Sequence, residues 1–147
     1  MTSAENGPVT VEVERILPAD PARTFAAWTE PATLVRWFCG SKATDAEAWT
    51  CPREDGCYLI VMHGEGRDWP HAGNYLEVDP GRRLRFTWYT PSTDFQRSEV
   101  DVHFEAVAGG TRIRLRHSAL PAGSRDGFSE GWTELLDQLA DLQKQDS

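Results

Sequence analysis

From Ala46 to Ser118 the chain repeatedly alternates apolar and polar residues, and a turn signal closes almost every run. A period of two sends successive side chains to opposite faces of a strand. The predicted strands are Ala46–Cys51, Cys57–His63, His71–Val78, Leu84–Thr90, Ser98–Ala106 and Thr111–Ser118. Turn chemistry lies between most of them, in "REDG", "HGEGRDWP", "DPGRR", "TPSTD" and "AGG". Strands in series with short links predict an antiparallel meander, the last two forming a hairpin. Such a sheet has one wet face and one face that must be covered. Only "SRDGFSEGWTELLDQLADL", read as a helix from about Arg125 to Gln143, is long enough to cover it.

The N-terminal part completes the pattern. "VTVEVERIL" is a further alternating strand. Asp20 is a helix N-cap with Pro21 at the first helical position, and Phe25 and Trp28 share one face. Pro31 ends that helix and opens a second, which carries Leu34, Trp37 and Phe38. The expected order is strand, two short helices, six strands, long helix. This is an α+β chain, with a curved antiparallel sheet of about six or seven strands wrapped on its C-terminal helix. A sheet gripping one helix leaves room between them, so a cavity is expected. No repeat or linker divides the sequence. The prediction is one domain over residues 1–147 with its core at about 9–143.

Four segments, in order and at this spacing, carry a resemblance. They are "DPARTFAAWTEPATLVRWF", "AGNYLEVDPGRRLRFTW", "GGTRIRLRHS" and "RDGFSEGWTELLDQL". From about Val9 to Leu142 the chain resembles the START-like (SRPBCC, helix-grip, Bet v 1-like) superfamily. Within it, the chain is most similar to the group named after the C-terminal domain of the activator of Hsp90 ATPase. That group's glycine-rich turn before the second long strand is reduced here, in "PREDGC", to Gly56. The resemblance implies a helix-grip fold with a hydrophobic cavity. Superfamily relatives bind lipids, hormones or polyketides, and some sequester antibiotics or cyclise polyketides. Members often pair through their sheets, so a homodimer is compatible.

Candidate pocket residues follow from strand parity and the helical wheel. In "TRIRLRH", Leu115 and His117 lie opposite the arginines with Thr111 and Ile113. Phe86 and Trp88 share a face, as do Val100, Val102 and Phe104, and Tyr75 alternates with Asn74 and Leu76. In "YLIVMH" both faces are apolar; the family pattern turns Tyr58, Ile60 and Met62 inward. Trp37 joins from the second short helix. Trp69, isolated in "HGEGRDWPH", is a candidate gate on a lid loop or a tryptophan packed back on the sheet. On the long helix, Phe128, Trp132, Leu135, Leu136, Leu139 and Leu142 form one apolar face, with Gly131 on its border and Gly127 just beyond. A glycine within a helix costs roughly 1 kcal/mol relative to alanine. Two readings stand: a strand crosses tightly at the glycines, or they leave a pocket mouth open.

Several function classes fall away. Net charge is −8, which disfavours nucleic acid and anionic membranes as partners. The N-terminus has neither a basic region nor an apolar core, so a cytoplasmic location is expected. Three cysteines, Cys39, Cys51 and Cys57, have no zinc spacing and suit small buried thiols, with Cys39 in a loop the candidate for reactivity. The four histidines form no HExxH, and no GxSxG, Walker loop or dinucleotide fingerprint is present. No metal, cofactor or catalytic residue is expected. His117 alone has a chemical case, as a base, a ligand contact or a structural histidine. The first functional reading is an apolar or aromatic small-molecule binding protein. The alternative is a stress-related or chaperone-linked interaction protein with a protein partner. The third is a polyketide cyclase-like or hydrolase-like enzyme.

Overall fold

The computed structural model describes residues 7–38 and 45–146. Its elements are β1 (Val9–Leu17), α1 (Pro21–Thr29), α2 (Pro31–Trp37), β2 (Asp45–Thr50), β3 (Cys57–Gly64), β4 (Arg67–Asp79), β5 (Arg83–Trp88), β6 (Ser98–Val107), β7 (Gly110–Leu120) and α3 (Arg125–Gln145). The helix starts follow the local chemistry. The Asp20 side chain accepts from the Arg23 amide at 2.8 Å, and Pro21 and Pro31 open α1 and α2.

All seven strands form one antiparallel sheet in the order β1-β7-β6-β5-β4-β3-β2. The meander runs from β2 to β7, and β1 returns to pair with β7. β4 pairs with β3 from Arg67 to Asn74, then with β5 from Tyr75 to Asp79. A register shift between Tyr75 and Glu77 marks the changeover, and such irregularities bend a sheet. At the same place Gly73 lies so close to β5 that a Cβ there would stand 2.0 Å from the Thr87 carbonyl oxygen.

The inward parity seen in the sequence is realised: Thr111, Ile113, Leu115 and His117 are buried, as are Val100, Val102, Phe104, Phe86, Trp88 and Tyr75. The outer face of the β1–β4 half carries stripes of single sign. Glu12 and Glu14 lie on β1, Arg112, Arg114 and Arg116 on β7, Glu99, Asp101 and Glu105 on β6, Arg83 and Arg85 on β5, and Glu77 and Asp79 on β4. Neighbouring stripes pair across the strands, as in Arg114–Glu14 at 2.9 Å, Arg112–Glu105 at 2.8 Å and Arg83–Asp101 at 2.7 Å.

One expectation is corrected here. The stretch 63–71, read as a lid loop, is the tip of the β3–β4 hairpin. Its turn is only Glu65–Gly66, both at positive φ (53° and 73°), the two-residue geometry that suits the twist of a hairpin. Pro70 fits within β4 because β5 joins only beyond it, so no neighbour on that side needs its missing N–H. The small-buried-thiol expectation also fails for two cysteines: Cys51 is half-buried and Cys57 exposed, while Cys39 lies outside the described residues.

α3 lies across the inner face. Its C-terminal half is deeply embedded: Leu136, Leu139 and Ala140 are almost completely buried. Gln143, also buried, accepts from the Ala19 amide at 3.1 Å and donates to Thr24 Oγ1 at 3.3 Å. Arg15 on β1 meets Asp137 on the outer side of the helix. No helix of the described residues is long and apolar enough to cross a membrane.

Candidate functional site

The N-terminal half of α3 stands away from the sheet. Between them lies a cleft of about 420 Å³, lined by Phe38, Met62, His71, Trp88, Phe128, Trp132 and Leu135, with Ser92, Gly123, Ser124, Gly127, Gly131 and Glu134 completing it. This volume is within the range of small-molecule sites, which combine apolar and aromatic walls with a few polar groups. A Cβ built on Gly127 or Gly131 would meet nothing within 4 Å. The tight strand crossing is therefore excluded for both glycines. Their bare backbone forms one side of the cleft.

A second wall is aromatic and continuous. Trp132 stacks on Trp28 with ring centroids 5.9 Å apart, and meets Trp88 at 5.3 Å and Phe38 at 6.1 Å. Trp28 in turn meets Trp37 edge-on at 5.0 Å, and the Trp37 indole donates to the Ala27 carbonyl at 2.9 Å. Four of the chain's six tryptophans thus form one cluster. Beneath it a void of about 20 Å³ lies between Trp28, Leu34, Phe38, Tyr58, Ile60, Tyr75, Phe86 and Trp88.

Trp132 is held by a directed chain of hydrogen bonds. Its Nε1 donates to His117 Nδ1 at 3.0 Å. His117 Nε2 lies 2.8 Å from Ser98 Oγ, and that hydroxyl donates to the Trp88 carbonyl at 3.1 Å. An indole N–H can only donate, so His117 Nδ1 accepts and Nε2 holds the proton. Strand register creates the chain, since Ser98 is opposite Trp88 and Val100 is opposite His117. Burial lowers the His117 pKa to about 3, so the ring is neutral near pH 7. Both of its nitrogens are engaged, which makes it a positioning residue for the cleft wall.

The sequence candidates fall into separate places. Met62, Trp88, Phe128 and Trp132 line the cleft. Tyr58, Ile60, Tyr75 and Phe86 line the small void, which Trp88 also borders. Trp37, Val102, Phe104, Leu115 and His117 are buried and line neither space. Trp69 is half-buried against the core near the hairpin tip, opposite Met62, with the Arg67 guanidinium 5.2 Å from its ring centroid. Among the cleft residues not singled out from sequence, with Ser92, Gly123 and Ser124, are His71 and Glu134. His71 shares the parity of Tyr75, which was a usable signal; Glu134 stands one helical turn beyond Gly131. Burial lowers the His71 pKa to about 4, while the Ile60 and Trp69 backbone carbonyls oppose that shift. Among the described residues no cluster of His, Cys, Asp and Glu could hold a metal ion.

The family described as Activator of Hsp90 ATPase homolog 1-like protein matches residues 18–144. Protein NE0264 from Nitrosomonas europaea is 25% identical with a TM-score of 0.78, and 97% of each chain is covered. SA2116 from Staphylococcus aureus, a protein of unknown function, is 22% identical with a TM-score of 0.80, covering 97% of this chain and 98% of the other. CalU16 from Micromonospora echinospora is 23% identical with a TM-score of 0.69, covering 90% of this chain and 74% of the other. No curated protein matches the chain.

Proposed function

Because the chain belongs to the Activator of Hsp90 ATPase homolog 1-like family, with the helix-grip fold, we propose that it is a small-molecule binding protein whose site is the cleft under the N-terminal half of α3. One observation carries this reading. Gly127 and Gly131 weaken the helix, yet no neighbouring group occupies the space their missing side chains leave. Glycines with no packing partner beside an aromatic wall suit a surface that a ligand completes. The ligand is apolar or aromatic, enters beside the turn at Ser92 and the loop at Gly123–Ser124, and rests against Trp132, Trp88 and Phe128. Binding is favoured over turnover because His117, the one residue with a case as a base, already serves Trp132 and Ser98. Residues 9–143 act as one domain around this site.

The test is titration with anilinonaphthalene sulfonate, following dye emission and tryptophan quenching. A saturable, near-stoichiometric response is expected. Gly131→Leu, which places a side chain in the cleft, should remove that response while leaving the unfolding transition cooperative. A wild-type protein that never responds, or a folded Gly131→Leu variant that binds dye as well as wild type, would overturn the reading.

A further inference from the structure

The turn between β2 and β3 brings two cysteines together. The strands pair without a shift, and the last partners are Trp49 with Leu59 and Thr50 with Tyr58. One step further Cys51 stands opposite Cys57, and its amide donates to the Cys57 carbonyl at 2.9 Å. The turn itself holds that placement. The Cys51 carbonyl accepts from the Arg53 amide and the Arg53 carbonyl from the Gly56 amide, both at 2.8 Å, and Asp55 is left-handed at φ 66°. A Cβ on Gly56 would strike the Cys51 carbonyl oxygen, so glycine is what lets the chain return so closely. Opposite residues of an antiparallel pair share one face. Cys57 alternates with the buried Tyr58, so the two cysteines lie on the outer face of the sheet. Opposite Cα atoms are about 4.5–5.5 Å apart, within the roughly 4.4–6.8 Å that a disulfide spans. Both residues are free thiols, with Cys57 exposed and Cys51 half-buried.

Independently of the cleft reading, we propose that Cys51 and Cys57 are a reversible redox pair that exchanges with low-molecular-weight disulfides of the glutathione type. Cys57, the accessible thiol, loses its proton and attacks one sulfur of the small disulfide. That S–S bond breaks, and the released small thiolate takes up the proton. Cys51 then loses its proton and attacks the Cys57 sulfur of the mixed disulfide. The Cys51–Cys57 bond forms, and the second small thiolate leaves and is protonated. The chain gives up two hydrogens with their electrons, and the small disulfide becomes two thiols. The new bond clamps β2, the edge strand of the sheet, to β3. An exposed disulfide of this kind is labile, so reducing thiols reopen it.

The test uses the full chain carrying Cys39→Ser, held in reduced and oxidised glutathione at about 1 mM each. A thiol placed beside its target acts at an effective concentration far above that of a free one, so the closed disulfide should exceed the glutathione adduct roughly tenfold or more. Trypsin cuts after Lys42, Arg53 and Arg67, so closure should join peptides 43–53 and 54–67, and dithiothreitol should part them. The chain should remain monomeric on a non-reducing gel. Cys51→Ser in the same background should stop at the adduct on Cys57. In the wild-type chain Cys39 falls in peptide 37–42, and the same two peptides should be joined. If Cys39→Ser does not fold, the wild-type peptide map decides alone. An unreacted protein, an adduct that persists on Cys57 with Cys51 intact, a link through Cys39, or disulfide-linked dimers would overturn the proposal. None of these outcomes touches the cleft reading, which the dye titration decides.

Discussion

The two halves of α3 are built for opposite ends. From Leu135 onward, leucines fill the sheet and Gln143 ties the helix to Ala19 and Thr24. Before Leu135, Phe128 is only half-buried, two glycines face open space, and the helix is held by Phe128 against His117 and by Trp132, which bonds His117 and packs on Trp28 and Trp88. Stability is concentrated at one end and the proposed binding surface at the other. A helix docked equally tightly along its whole length would have closed the cleft.

The sharpest way to break this comparison is to damage the docked half. Leu139→Ala deletes a fully buried side chain, and such truncations cost about 2–5 kcal/mol. Chemical denaturation should show that loss, while dye affinity of the folded fraction stays within about twofold. A large loss of affinity would mean the halves are coupled. Acid acts on the open half. Burial depresses the pKa of His117 to about 3 and of His71 to about 4, from an ordinary 6.5. Below 6.5 the unfolded chain takes up protons that the folded one refuses, so stability is full above 6.5 and falls as pH drops toward 4. Each histidine contributes a slope of at most about 1.4 kcal/mol per pH unit. Thermal melts between pH 7 and 5 should show the decline, and His117→Asn should flatten it. An unchanged slope in that variant would place the acid sensitivity elsewhere. The smallest effect sharpens the comparison most. Gly131→Ala should stabilise the protein by about 0.5–1 kcal/mol, because alanine fits the helix and meets nothing. The same methyl should weaken dye binding severalfold. A variant that gains stability and keeps its affinity would show that the ligand does not touch that backbone.

The architecture was legible because it rests on local signals that agree: alternation, turn residues, the Asp20 cap and the prolines that open α1 and α2. Strand parity extended this to His117, correctly placed on the inner face. Its partners were not legible. Ser98 reaches it only through the pairing of β5, β6 and β7, and Trp132 only through the docking of α3, and neither register can be read from one strand alone. The glycine question was likewise a matter of distance: the helical wheel puts Gly131 at a border but cannot say whether anything waits beyond it. The hairpin tip misled because "GEGRDWP" has the composition of a loop. Gly66 serves a two-residue turn, and Pro70 sits where β4 has no partner on its β5 side.

The striped outer face has a consequence for assembly of the sheet. Each strand there shows one sign of charge, and its neighbours show the other. Sliding a strand by two residues would still bring opposite charges together, so the stripes say little about register. Exchanging two strands is different: β1 beside β6, or β7 beside β5, would set like charges in rows, and like charges directly opposite are unfavourable. Single exposed ion pairs contribute little. Together, these rows label which strand may sit beside which. Alignment along the strands is left to the aromatic inner face and the irregularity in β4. The molecule therefore divides its instructions, writing neighbour identity in charge on the outside and alignment in shape on the inside.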